Sequence, residues 1–205
     1  MNALIDRSRQ RGAPYEVSHV FSDRADAKGL VSARDLGIAV RALPSTNGMD
    51  RAAYDAALAA AIAEVSPSLI VLAGFMRILT AEFVQRFEGK ILNIHPSLLP
   101  KYAGLHTHRR ALEAADSEHG ATVHFVTEEL DGGPRIIQAR VAVAAGDTEE
   151  SLAARVLAQE HRIYPLAVSW FCERRLRYQG GKAWLDGRPL SEPILYSDIA
   201  RDQSA

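Results

Sequence analysis

Several features that mark particular protein classes are scarce or missing in this sequence. One cysteine, Cys172, excludes an internal disulfide framework and any zinc site built from cysteines. The 24 lysine and arginine residues nearly balance the 25 aspartate and glutamate residues, and the net charge of -1 argues against a general nucleic-acid binder or a polybasic membrane binder. No apolar run approaches the ~20 residues needed to span a bilayer, and residues 1–11, with three arginines, do not resemble a secretory signal. We therefore expect a soluble, cytoplasmic protein.

What the chain does contain is an ordinary apolar fraction arranged in alternating strand and helix patterns. Hydrophobic residues make up 47% of the 205 residues, which suits one compact domain over residues 1–205. Predicted strands cover 15–21, 38–43, 69–73 and 90–94, and predicted helices cover 1–11, 26–36, 50–65 and 80–87. Residues 69–73 are a continuous apolar run, as expected for a strand that is buried on both faces. Such alternation is typical of an α/β fold with a mainly parallel sheet.

The second half of the chain has a different pattern. Strands predicted over 121–126 and 135–143 are separated by a short turn, so we expect an antiparallel pair that extends the sheet at one side. A long helix is predicted from Asp147 to Arg175, interrupted or kinked at Pro165. A small final strand is predicted around Trp184.

Two polar residues near the end of the strand predicted over 90–94 form the first candidate site. Side chains alternate along a strand, so Asn93 and His95 lie on one face and Leu92 and Ile94 on the other. An amide can stabilise a developing oxyanion and an imidazole can transfer protons near neutral pH. The alternative is a core histidine whose ring is hydrogen bonded to a neighbouring carbonyl.

An acidic residue could orient the imidazole and favour its protonated form. The turn Glu129-Leu130-Asp131-Gly132-Gly133-Pro134 offers Asp131, and its glycines allow a close approach of the backbone. Spacing along the chain cannot place Asp131 beside His95. The alternative is an aspartate that only bonds the backbone of its own turn.

The remaining histidines give weaker signals. His106 and His108 are two residues apart near the start of a helix and so cannot share a helical face, which argues against a metal site. His124 is a strand residue that could face polar surroundings, whereas His19, His119 and His161 are interpreted as surface or packing residues. Residues 73–79 could wrap a flat ligand or form an ordinary loop between a strand and a helix.

One long stretch makes the sequence recognisable. Ile91 to His108, which contains Asn-Ile-His-Pro-Ser-Leu-Leu-Pro-Lys-Tyr, closely resembles the phosphoribosylglycinamide formyltransferases, folate-dependent enzymes of purine synthesis. The resemblance extends to residues 21–27, 71–79 and 128–134 and covers nearly the whole chain. It implies a Rossmann-like formyltransferase fold with a mostly parallel sheet flanked by helices. It also implies transfer of a formyl group from 10-formyltetrahydrofolate to the amine of 5'-phosphoribosylglycinamide.

The resemblance assigns roles to individual residues of this chain. Asn93 would stabilise the oxyanion, His95 would donate a proton, and Asp131 would favour the charged ring and relay protons through an ordered water. The folate would contact Arg51, Met76, Arg77, Ile78, Leu79, Asn93, Thr127, Glu128, Glu129, Leu130 and Asp131. Glu160 would contact the amino-sugar substrate, and no metal is implied.

The beginning of the chain departs from the family pattern. Members of the family start with a buried strand and a Gly-x-Gly-Ser-Asn loop that binds the substrate phosphate, whereas this chain opens at Met1-Asn2-Ala3-Leu4-Ile5 in what resembles the following helix. We expect the first strand to be missing and the start codon to lie upstream. Two alternatives to formyl transfer follow: an inactive folate-binding fragment and a formyltetrahydrofolate deformylase.

The resemblance also implies a set of partners. They are the two small-molecule substrates, with no nucleic acid and no membrane. The expected assembly is a monomer or a homodimer.

Overall fold

A computed structural model describes residues 1–45 and 49–202 of the chain. The helices are α1 (Asn2–Ser8), α2 (Lys28–Asp35), α3 (Arg51–Val65), α4 (Ala81–Arg86), α5 (Thr107–Glu113), α6 (Glu149–Cys172) and α7 (Tyr196–Asp202). The strands are β1 (His19–Ser22), β2 (Ala39–Ala42), β3 (Ile70–Leu72), β4 (Ile91–His95), β5 (Glu118–Phe125), β6 (Arg135–Ala142), β7 (Leu176–Gln179), β8 (Lys182–Leu185), β9 (Arg188–Pro189) and β10 (Ile194–Leu195).

The strands form three hydrogen-bonded sheets. The largest has five strands in the order β10-β6-β5-β4-β3, and it is mixed: β3 and β10 run parallel to their neighbours, while β4, β5 and β6 are antiparallel to one another. The antiparallel pair expected from the sequence is therefore confirmed. Strands β1 and β2 form a separate parallel pair, and β7, β8 and β9 form an antiparallel sheet that contains Trp184.

Two strands are shorter than predicted, and in both cases the pairing with a neighbouring strand explains the difference. The strand predicted over 15–21 begins only at His19, because its partner β2 offers four residues for pairing. The strand predicted over 69–73 as buried on both faces is limited to Ile70–Leu72, and all three residues are only partly buried. Among the described residues this strand bonds to β4 alone, so one of its edges and part of its surface lack the cover that a central strand has.

Helix α6 packs on the large sheet and organises the main core. It begins at a Thr148 cap in which the Thr148 and Ser151 side chains each accept a bond from the other's backbone N–H. The helix continues through Pro165 and ends at Cys172, so it is neither interrupted at the proline nor extended to Arg175. Its apolar face meets the inner faces of β4, β5 and β6, and fully buried members of this core include Leu92, Val123, Phe125, Ile136, Ile137, Leu152, Val156 and Ile163.

One polar contact joins this helix to the sheet. The hydroxyl of Tyr164 lies 2.7 Å from the Leu72 carbonyl oxygen and 2.9 Å from the Leu92 carbonyl oxygen, so its single proton is shared between β3 and β4. Burial raises the pKa of Tyr164 well above its ordinary value, which keeps the donor in place. Among the described residues, no helix is both long enough and apolar enough to cross a membrane.

Candidate active site

Strand β4 brings Asn93 and His95 to one face of the large sheet. Leu92, on the opposite face, is completely buried in the main core, which fixes the orientation of the strand. The strand continues one residue beyond its predicted end, so that His95 is its last residue. His95 is 7% exposed and Asn93 is half-buried, so both are polar groups that need partners.

Each ring nitrogen of His95 faces an acceptor. Its Nδ1 lies 3.4 Å from the Asp131 carboxylate, and its Nε2 lies 2.9 Å from the backbone carbonyl oxygen of Tyr102. A carboxylate and a carbonyl oxygen can only accept, so both contacts are satisfied when the two nitrogens each carry a proton. The surroundings therefore suit a charged imidazolium that can give up a proton.

Asp131 reaches His95 because its turn folds back over the sheet. The backbone of Asp131 is left-handed, with φ of 53°, a conformation that aspartate tolerates better than most residues. At Gly133 a Cβ atom would collide with the carbonyl oxygen of Phe125, so only glycine lets the turn pack this closely on β5. The N–H of Gly104 donates to the Asp131 carboxylate at 2.9 Å and holds it beside the ring.

The orientation of the Asn93 amide follows from the protonation of His124, its neighbour across β4 and β5. Burial lowers the pKa of His124 and keeps the ring neutral. Its Nδ1 lies 2.8 Å from the Phe125 carbonyl oxygen and must carry the ring's one proton, so Nε2 can only accept. The Asn93 amide nitrogen, 3.2 Å from that Nε2, therefore donates to it and keeps a second N–H for another acceptor.

The same reasoning settles the contact between His124 and Asp131. The His124 Nε2 and the Asp131 carboxylate are 3.7 Å apart, within the range of an ion pair. A neutral ring with a lone pair at Nε2 cannot form one, so the charge of Asp131 is directed to His95.

Sequence analysis predicted Asn93, His95 and Asp131, and the structure brings all three together. It missed the part played by His124, whose role depends on the pairing of Asn93 with His124 across two strands. It also missed the Tyr102 carbonyl and the Gly104 N–H, because backbone groups carry no sequence signature. Gly104, at the end of the Lys101-Tyr102-Ala103-Gly104 segment, was a sequence feature that could have indicated a backbone group close to the site.

The residues expected to contact folate lie in two segments with unusual apolar exposure. In the first, Met76 is 76% exposed and Ile78 is 51% exposed, while Leu79 packs in the smaller core cluster. Arg77 lies between Met76 and Ile78 in the sequence. Its guanidinium is 4.0 Å above the Tyr54 ring and 3.6 Å from the Asp23 carboxylate.

The second segment is the turn that carries Asp131. Leu130 is 52% exposed, Thr127 is half-buried, and Glu129 is exposed. The Gln85 amide on α4 donates to the Glu128 carboxylate at 2.8 Å and ties this turn to the helix that follows the first segment.

Two predicted residues stand apart from this group. Arg51 is exposed at the first residue of α3, and Glu160 is half-buried on α6, where burial raises its pKa. In the described part of the chain neither has a hydrogen bond or an ion pair to Asn93, His95 or Asp131.

A second pair of histidines lies close to the site. His108 Nδ1 and His119 Nε2 are 3.1 Å apart, and His119 is 1% exposed, which agrees with a packing role. Burial lowers the pKa of both rings, that of His119 to about 4. His106 is exposed at the start of α5. Residues 1–45 and 49–202 contain no group of three or more histidine, cysteine or acidic side chains placed to hold a metal ion.

Known proteins resemble this chain over most of its length. Residues 1–168 match the family model described as formyl transferase. The phosphoribosylglycinamide formyltransferase of Escherichia coli is 54% identical over 190 residues, which cover 93% of this chain and 90% of that protein. The corresponding enzyme of Haemophilus influenzae is 47% identical over the same shares of the two chains.

Solved structures give the same result. The phosphoribosylglycinamide formyltransferase of Coxiella burnetii superposes with a TM-score of 0.87 at 45% identity, covering 94% of this chain and 92% of its own. The expected Rossmann-like α/β formyltransferase fold is confirmed, but its large sheet is mixed and not mostly parallel as predicted, because β4, β5 and β6 pair antiparallel. The chain belongs to the formyl transferase family and, within it, to the phosphoribosylglycinamide formyltransferases.

Proposed function

We propose that this chain transfers the formyl group of 10-formyltetrahydrofolate to the amine of 5'-phosphoribosylglycinamide, a step of purine biosynthesis. Family membership supports the reaction. The observation that carries the proposal is the position of His95 between two acceptors, Asp131 and the Tyr102 carbonyl, with an Asn93 N–H on the same face of β4.

The proposed chemistry needs one proton donor and one oxyanion donor. The substrate amine attacks the formyl carbon, a C–N bond forms, and the carbonyl oxygen becomes an oxyanion. The bond between the formyl carbon and folate N10 then breaks, His95 gives N10 a proton, and the attacking nitrogen loses one to water. Asp131 stabilises the imidazolium before this transfer and relays the proton that returns to the ring.

Asn93 is suited to the oxyanion for a structural reason. Because its amide nitrogen already donates one proton to His124, the amide cannot turn its oxygen towards the developing charge. A donor oriented before the reaction stabilises the transition state without reorganising. His124 is thus a positioning residue for Asn93 in this proposal.

The folate is proposed to bind along the two segments that expose apolar side chains, residues 76–79 and 127–131. Burying Met76, Ile78 and Leu130 under a flat aromatic ligand would remove exposed apolar surface from water. Arg77, and the exposed Arg51, supply positive charge for carboxylates of the folate, and residues 127–131 supply backbone donors and acceptors. Glu160 is proposed to contact the amino-sugar substrate.

Formyl transfer by the 205-residue chain, with both substrates supplied, tests the proposal. We expect turnover that requires the amine and that disappears in His95→Ala. Formate release without an acceptor amine would instead identify a deformylase. Folate binding without turnover in a folded chain would show that this form is an inactive folate-binding protein.

A further inference from the structure

A row of buried polar side chains runs across the large sheet from His95. In the strand register His95 pairs with Thr122 on β5, and Thr122 pairs with Gln138 on β6. Residues directly opposite one another in neighbouring strands project to the same face. Gln138 therefore shares the face of His95 although it lies two strands away, and the three side chains are all less than 8% exposed.

The chain that leaves His95 folds back over this row and is held there by side chains. The Thr122 hydroxyl donates to the Ser97 carbonyl oxygen at 2.6 Å and accepts from the Leu99 N–H at 3.1 Å and from the Gln138 amide at 3.0 Å. The Leu99 carbonyl oxygen accepts from the Gln138 amide at 2.8 Å and from the Arg135 guanidinium at 2.9 Å. The hydroxyl uses its proton and both lone pairs, and the carbonyl oxygen has two donors, so both of these groups are fully satisfied.

Leu99, which this network holds, lies three residues before Tyr102, whose carbonyl oxygen contacts the His95 ring. The Ser97 hydroxyl donates to the Lys101 carbonyl oxygen at 2.6 Å, and the Lys101 N–H donates to the Leu98 carbonyl oxygen at 3.1 Å. The next residue is Tyr102, whose carbonyl oxygen lies 2.9 Å from His95 Nε2. The backbone from Leu99 to Lys101 is thus held at both ends, and Gln138 supplies one of the two side-chain donors to the Leu99 carbonyl oxygen.

We propose that Gln138 is a positioning residue for formyl transfer: its amide, bonded to Leu99 and Thr122, fixes the Tyr102 carbonyl and through it the His95 ring. The proposal rests on the proposed function. It assigns Gln138 no contact with either substrate. Its loss should lower the rate of the bound complex and leave substrate affinity nearly unchanged.

The test replaces Gln138 by methionine, which has a similar length and no donor. Gln179→Met, at an exposed position of β7, is the matched control. We expect kcat of Gln138→Met to fall about tenfold to a hundredfold, the loss that a small misplacement near a reacting group can cause. KM for both substrates should stay within about threefold, because the kinetic effect is restricted to the reacting complex. The control should match the unsubstituted protein.

Imidazole nitrogen NMR signals supply a readout that does not depend on turnover. Those of His95 should shift in Gln138→Met and stay unchanged in Gln179→Met, because only the first variant disturbs the Tyr102 carbonyl. All rates are divided by the folded fraction from urea unfolding, so a variant that merely unfolds is separated from one that misplaces the ring. A corrected kcat within about twofold of the unsubstituted protein, or unshifted His95 signals, would overturn the proposal.

A double variant tests the shared carbonyl. Each of Gln138→Met and Arg135→Met leaves the Leu99 carbonyl oxygen with one side-chain donor, whereas the double variant leaves it with neither. We expect the double variant to lose more activity than the product of the two single losses, and simple multiplication of the losses would contradict the network. If the unsubstituted chain transfers no formyl group, the proposed function fails, while the His95 signals still decide whether Gln138 positions the ring.

Discussion

Two groups of histidines lie near each other in this protein: His95 with His124, and the half-buried His108 with the buried His119. In the proposed catalytic group, His95 has an acceptor at each nitrogen, a carboxylate at one and a carbonyl oxygen at the other. In the other group, His108 and His119 face each other at 3.1 Å, so one ring must accept the proton that the other donates. Burial lowers the pKa of both rings in this second pair.

The comparison shows that burial alone does not decide what a histidine does. His95 and His119 are both less than 8% exposed. Only the first has an anionic neighbour within ion-pair distance, 3.4 Å away. A buried ring that lacks such a partner favours the neutral form, whereas acceptors at both nitrogens of His95 match a ring that donates from both.

The largest expected effect comes from removing the catalytic ring. His95→Ala should lower kcat/KM about 10²–10⁴-fold, the usual contribution of a positioned proton donor. His161→Ala, at an exposed position of α6, should leave activity unchanged. Steady-state kinetics on both variants check this, and a loss of less than tenfold in a folded His95→Ala protein would contradict the assignment.

A second variant tests the oriented amide. Asn93→Ala should lower kcat about 10²–10³-fold, as the loss of one oxyanion donor does in other enzymes. His124→Phe should give a smaller loss, because the Asn93 amide remains but is free to rotate. The two kcat values, measured side by side, test the order, and equal activity of His124→Phe and the unsubstituted protein would refute the orienting role.

The neutral pair should make folding stability depend on pH. The folded pKa of His119 is about 4 and its ordinary value is 6.5, so between these limits the unfolded chain binds more protons than the folded one. The stability is therefore complete above pH 6.5 and is lost as the pH falls towards 4. We expect the free energy of unfolding to decrease by about 2 kcal/mol between pH 7.5 and pH 5.

Urea titrations at the two pH values measure this dependence. His119→Phe removes one titrating ring and should make the dependence less steep, with the rest coming from His108 and His124, whose pKa values burial also lowers. His161→Asn, at an exposed position, should leave it intact. An unchanged slope in His119→Phe would show that the pair does not titrate on unfolding.

The smallest effect is expected for an ion pair on the exposed surface. Arg24 and Asp26 form an ion pair at 2.9 Å, but their side chains are 71% and 74% exposed. Solvent screens such a pair, so Arg24→Ala should leave both the urea midpoint and kcat unchanged within error. A clear drop in the urea midpoint would mean that this exposed ion pair stabilises the folded protein, contrary to the expectation.

Much of this arrangement could be predicted from local pattern. The alternation of strands and helices and the shared face of Asn93 and His95 all followed from the periodicity of side chains along regular elements. Errors occurred where an element's length or cover depends on its neighbours. Strand β3 is shorter and more exposed than predicted because it pairs on one side only.

The site itself was only half predictable without a resemblance. A strand places Asn93 and His95 together over two residues, but Asn93 and His124 are 31 residues apart and meet through strand register. Gly104 and Asp131 are 27 residues apart and meet because a glycine turn folds over the sheet. No short-range rule gives either contact.

The sequence by itself determined the fold class, the family and the chemical types of the reacting groups, because these depend on composition, periodicity and an extended motif. Tertiary structure alone decided which nitrogen of His95 meets which acceptor, that the Asn93 amide presents an N–H, and that His108 and His119 are neutral. The physical reason is that protonation and hydrogen-bond direction depend on the atoms surrounding a group in space. Those atoms come from distant parts of the chain and become neighbours only when the strands pair and the loops pack over them.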